Sequence, residues 1–231
     1  MFVALLASTA GAQGEASSIL EQLNDPDYAT REAASGQLLT DPAIDLEVIA
    51  ELLSEAPHLE QQERLLAAAR HRFVAQLIRE NYPWQGPGSI GIIQRPADPI
   101  EVDGVVRPAI LVIQTLPGFP AHQRLRPGDR LIAIDGEPLT AANPVEQFQT
   151  VTQATPPGGR LGIRLWRAGR TLDVAIETAP LEALRLTYAG PQYTLTEGPA
   201  LLWQGKRAEL VALTGPAAGP EISVTPLAAE E

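Results

Sequence analysis

The sequence predicts an α+β protein in which a small helical bundle precedes a region of short strands around one main helix. Three observations predict it. Residues 17–80 carry apolar positions at helical spacing, interrupted only by short connections. Residues 90–177 alternate short apolar runs with Gly, Pro-Gly and Asp-Gly turn signals, as strands do. Between them, residues 81–88 (NYPWQGPG) hold two prolines and two glycines in eight positions, the composition of a linker.

Asp25-Pro26 and Asp41-Pro42 each place a capping acceptor before a proline suited to the first helical position. The first helix is expected over residues 27–40, with Tyr28, Ser35, Leu38 and Leu39 on one face and Arg31 among them. The second, residues 42–56, stacks Ile44, Val48, Ile49, Leu52, Leu53 and Ala56, and Pro57 ends it. The third, residues 58–80, carries Leu59, Leu66, Ala69, Phe73 and Leu77 on its expected stripe. Three amphipathic helices with short connections make a small bundle.

Strands are expected at residues 90–94, 109–116, 129–134, 161–167 and 171–177, with a hairpin turning at Asp103-Gly104. One helix interrupts them, opened by Asn143-Pro144 and running over residues 145–154. Residues 200–203 and 209–213 read as a further hairpin, and the composition from about residue 215 reads as disordered. The organisation is therefore a truncated signal peptide at 1–14, helices at 15–80, the strand-rich domain at 81–180 and an extension at 181–231.

The formal net charge is −11, and it is unevenly placed. Residues 13–80 hold 13 acidic and 5 basic side chains, residues 81–180 hold 9 of each, and the remainder 6 and 3. No basic stripe exists for phosphate, so nucleic acid is not an expected partner. Cysteine is absent, which removes disulfides and thiolate metal sites. The apolar start MFVALLASTAGA ends in a small-residue pattern but lacks a basic leader. It points to a secreted or periplasmic protein, with a cytoplasmic one as the alternative. Twelve residues fall short of the roughly 20 needed to span a bilayer, so no membrane span is expected. His58, His71 and His122 are scattered outside any HExxH pattern and read as solvated or capping residues; no serine sits in a nucleophile elbow. No catalytic residue, metal ligand or cofactor is expected.

The phrase LNDPDYATREAASGQLL (residues 23–39) is similar to the first helix of HEAT-type repeats, although too few repeats follow for a solenoid. Downstream, GSIGI at 88–92, LRPGDRLIAIDGEPL at 125–139 and GGRLGIRLWRAGRTLDVAIE at 158–177 follow one another in a telling order. Across residues of about 84–180 they resemble a PDZ domain of the bacterial type. The resemblance implies a partly open β-barrel with one main helix and a short capping helix. Two positions depart from it: Phe119 and Arg124 stand where small residues are usual. No basic residue closely precedes the glycine loop.

The resemblance also implies a site. Ser89, Ile90, Gly91 and Ile92 would form the loop whose backbone N–H groups hold a peptide carboxylate, because glycine lets successive amides converge. The peptide would pair with Ile93 and Gln94 by strand addition. Gln149 and Val151 are the expected groove contacts on the helix, and Phe148 is expected in the core. Gly91→Val is expected to weaken binding without unfolding the domain. The implied function is non-catalytic binding of peptide C-termini or extended segments of a protein partner. Two alternatives accompany it: a scaffold whose groove is filled by its own tail or by the hairpin at 98–106, and a regulatory or substrate-delivery subunit of a separate extracytoplasmic protease.

Overall fold

The computed structural model describes residues 18–140, 142–190 and 192–214. The signal-peptide reading at 1–14 and the disorder reading from 215 lie outside the described residues. The chain divides into two compact units, one containing residues up to Ala68 together with those from Arg207, the other spanning Ala69–Lys206.

The first unit is helical. A short helix α1 (residues 18–23) leads to α2 (Tyr28–Thr40), α3 (Leu46–Glu55) and the first part of α4 (Leu59–Asn81). The two Asp-Pro pairs act differently from the expectation. Asp25 and Asp41 accept hydrogen bonds from the amides of Asp27 and Ala43, closing local turns. A second aspartate in each segment then caps the helix: Asp27 accepts from Thr30 N, and Asp45 accepts from Glu47 N and Val48 N. The second helix consequently starts at Leu46 rather than Pro42.

On α3 the expected Ile49, Leu52 and Leu53 are buried, whereas the buried faces of α2 and α4 are rotated from those expected. Ala34 and Leu38 are buried on α2 while Tyr28 is exposed; Leu65, Ala68 and Ala69 are buried on α4 while Leu59 is exposed. Polar pairing drives part of this rotation. Gln61 Nε2 donates to Leu20 O at 2.8 Å and Gln62 Nε2 to Ala56 O at 2.9 Å, so two glutamines turn inward. Arg64 bridges Glu32 at 2.9 Å and Glu60 at 3.0 Å, and Arg31 joins Glu60 at 3.0 Å.

The second unit is built on an antiparallel sheet in the order β2-β3-β4-β6-β7, with β5 paired to β4. The strands are β2 (Ile92–Val102), β3 (Val105–Thr115), β4 (Arg130–Ile134), β5 (Glu137–Pro138), β6 (Arg160–Arg167) and β7 (Arg170–Glu177). Separately, β1 (Gly88–Ser89) pairs with β8 (Ala179–Pro180). Because β2 and β7 both remain edges, the sheet does not close into a barrel. The hairpin strands expected separately are one long arm, β2 with β3, turning at Asp103 and Gly104 with φ of 52° and 73°.

Helix α5 (Pro144–Ala154) is capped by the side chain of Asn143 and packs beside β1, β2 and β3. Phe148 is buried with Ile90, Ile110, Leu131 and Ile163 in the central core, as expected from its spacing. A second core joins Val74 and Ile78 of α4 to Leu116, Phe119, Ala183 and Tyr188. From Ala69 onward α4 therefore belongs to the strand-rich unit. The extension beyond Pro180 is ordered as α6 (Leu181–Thr187), a small pair β9 (Tyr188–Ala189) and β10 (Thr194–Leu195), and α7 (Glu197–Leu213). The hairpin expected around 204–207 is thus the middle of a helix. Alanine, leucine, lysine and arginine in that stretch favour the helix, and Trp203 and Leu210 are its buried positions.

Candidate functional site

The loop between β1 and β2 is fixed from several sides. Ile90 O accepts from Ala121 N at 3.1 Å and Gly91 O from Leu116 N at 2.9 Å. Gly91 has φ of +74°, and a β-carbon there would overlap the buried Phe119. Only glycine combines that conformation with that approach. Its amide donates to Ser89 Oγ at 3.2 Å, inside the fold.

Because Gly91 O faces β3, the alternation of an antiparallel pair turns the N–H and C=O of Ile92 toward the open edge of β2. That edge and α5 enclose a groove of about 140 Å³. Ser89, Ile90, Gly91, Ile92 and Gln94 line one side, and Phe148, Gln149, Thr152 and Gln153 the other. Ile90 is shared with the core. Ile93 points away, packing on the second core with Phe119. Val151 packs on the central core and is not among the lining residues; Thr152 and Gln153 take that face of the helix. Their spacing from Gln149, at i+3 and i+4, was the available signal.

One feature escaped the sequence reading. The Thr152 hydroxyl is buried with no hydrogen-bond partner among the described residues. A buried unsatisfied hydroxyl is costly, so a ligand group bonded there would recover that cost. Of the two segments the sequence offers as fillers of the groove, the tail contributes Leu181, Leu184 and Tyr193 to its lining, whereas the hairpin at 98–106 supplies no lining residue.

Two of the three histidines are brought together rather than solvated. His71 and His122 stack with ring centroids 5.1 Å apart, while His58 is exposed. Burial pushes His71 from the usual 6.5 down to about 3, with the His122 charge a smaller cause; burial also lowers His122. His71 Nδ1 accepts from Gly118 N at 2.9 Å, so protonation would set two N–H groups against each other. A depressed folded-state value stabilises the fold above the unfolded value of 6.5 and loses that stability as pH falls toward 3. Lowering pH from 7 to 5 is expected to cost about 2 kcal/mol through His71. Urea denaturation of the wild type and His71→Asn at both pH values checks this, with the difference between their pH dependences as the readout.

Residues 86–165 match the family model described as "PDZ domain". This stretch is a PDZ domain. PDZ domains are peptide-binding modules, and the two walls of the groove formed by β2 and α5 lie within this one. Among solved structures, the HtrA-type protease AlgW with a decapeptide is similar at 20% identity and a TM-score of 0.35, over 51% of this chain and 34% of that one. A serine endoprotease from Yersinia pestis is similar at 25% identity and a TM-score of 0.32, over 46% and 33%. The chain thus spans about a third of the length of these proteases. No protein of curated function matches it. Among the described residues, no helix is long and apolar enough to cross a membrane, and no cluster of three or more acidic, histidine or cysteine residues could hold a metal ion.

Proposed function

We propose that the PDZ domain binds the free C-terminus of a protein partner as an added strand along β2, and that the chain itself is non-catalytic. The observation that carries this reading is the open edge of β2 at Ile92, facing α5 across a lined groove. Ile92 and Gln94 supply the pairing backbone, and the terminal carboxylate sits at Ser89–Ile92. The Gly91 amide is held by Ser89 Oγ until a carboxylate replaces it, since a charged acceptor makes the stronger hydrogen bond. The Thr152 hydroxyl gains its partner from the ligand. Micromolar affinity, about −8 kcal/mol, suits so small a groove.

A second reading has a specific observation behind it: Leu181, Leu184 and Tyr193, from the chain's own extension, line part of the groove. One titration separates the two. A C-terminal peptide selected from a random library binds the wild type, and its amidated twin binds about tenfold more weakly, under the first reading. Equal affinities of the twins exclude the terminal-carboxylate reading. Binding that emerges only in a Leu184→Ala/Tyr193→Ala variant supports self-occlusion.

A further inference from the structure

A second cavity, about 260 Å³, opens within the Ala69–Lys206 unit and shares no lining residue with the peptide groove. The end of α4, the residues around Phe119 and the facing ends of β6 and β7 enclose it. Arg79, Arg124 and Arg160 line it, against a single carboxylate from Glu177. None of these three guanidinium groups has an ion-pair or hydrogen-bond partner among the described residues. Arg164 and Arg167 of the same unit, by contrast, each hold an aspartate. Three unpaired cations around one cavity repel one another, and an anion placed among them relieves that repulsion.

The chain as a whole carries −11 and residues 81–180 hold nine charges of each sign, so three cations against one carboxylate is a local excess. The remaining wall is apolar apart from His71 and Gln123. Trp84 lines the cavity at 45% exposure, beside Ile78 and Phe119. A small inorganic anion would leave the indole uncovered. A nucleic-acid backbone needs a longer basic track than one cavity supplies. The occupant that matches both walls carries acidic and large apolar groups side by side.

We infer that this cavity is a second binding site, for an acidic peptide segment of a partner protein. In it, carboxylate side chains meet Arg79, Arg124 and Arg160, and a neighbouring apolar side chain covers Trp84. Bidentate guanidinium–carboxylate pairing fixes the segment's register, and the indole supplies the apolar contact. The site is independent of the groove and needs no free C-terminus.

The test uses the full chain and a fluorescein-labelled peptide blocked at both ends, acetyl-Glu-Glu-Leu-Glu-Glu-Phe-amide, followed by anisotropy. The blocked terminus keeps the carboxylate loop out of the readout. The peptide is expected to bind, and its all-glutamine counterpart to bind about tenfold more weakly. Arg79→Gln/Arg124→Gln is expected to lose about tenfold as well, and Trp84→Ala to weaken binding without abolishing it. All three side chains are exposed, and an unchanged melting temperature confirms that each variant is folded. Equal binding of the glutamate and glutamine peptides overturns the proposal. So does an undiminished affinity in both variants, or displacement by equimolar inorganic phosphate.

Discussion

Replacing Arg167 by methionine is expected to destabilise the PDZ domain by about 3–5 kcal/mol. Asp129 is 1% exposed, and its two carboxylate oxygens each receive an Arg167 nitrogen at 2.6 Å. One of them also takes the Arg126 amide at 2.8 Å. The carboxylate closes the Pro127-Gly128-Asp129 turn, whose backbone is joined to Val112 of β3 in both directions at 2.9 Å. Without the guanidinium, a buried negative charge keeps only neutral donors, and that is the costly state. Asp129→Asn in the same background removes the charge and is expected to recover part of the loss. A double-mutant cycle in urea measures the coupling directly. A loss below about 1 kcal/mol would place the pair with exposed ion pairs and sink the argument.

Gly91→Ala is expected to cost about 3 kcal/mol and to remove peptide binding with it. Two terms add. A left-handed backbone conformation costs a non-glycine residue roughly 1–2 kcal/mol, and forcing a methyl group into a filled core adds about 1–3. The methyl would overlap Phe119, which is buried against Tyr188 and α4 and has nowhere to move. Folding and binding are therefore not separable at this position, contrary to what the sequence implies for Gly91→Val. Gly104→Ala isolates the first term: φ there is +73°, and nothing lies within 4 Å of the added carbon. Melting curves of the two variants should differ by the packing cost, and equal losses would count against it.

Turn chemistry made the strand-rich half legible. Asp103-Gly104, Asp135-Gly136 and Ala168-Gly169 all have positive φ at both positions, and each closes a hairpin. The loop GSIGI was legible for the same reason, since Gly91 adopts the conformation the motif requires. The departures at Phe119 and Arg124 had no explanation in the sequence. Phe119 is large because α4 and α6 provide a core for it to fill. Arg124 O accepts from Arg167, while its side chain faces the second cavity.

By itself the sequence determined the α+β class, the hairpin turns at Asp103-Gly104, Asp135-Gly136 and Ala168-Gly169, the conformation of the glycine loop and the main helix, all of them matters of local backbone preference and short spacing. Tertiary structure decided which faces of α2 and α4 are buried and that α4 continues into the PDZ-bearing unit. It also decided that Thr152 rather than Val151 lines the groove, and that two distant histidines stack. These depend on contacts between residues far apart in the chain. A side chain's own chemistry fixes what it needs, but only its assembled neighbours fix whether it is met.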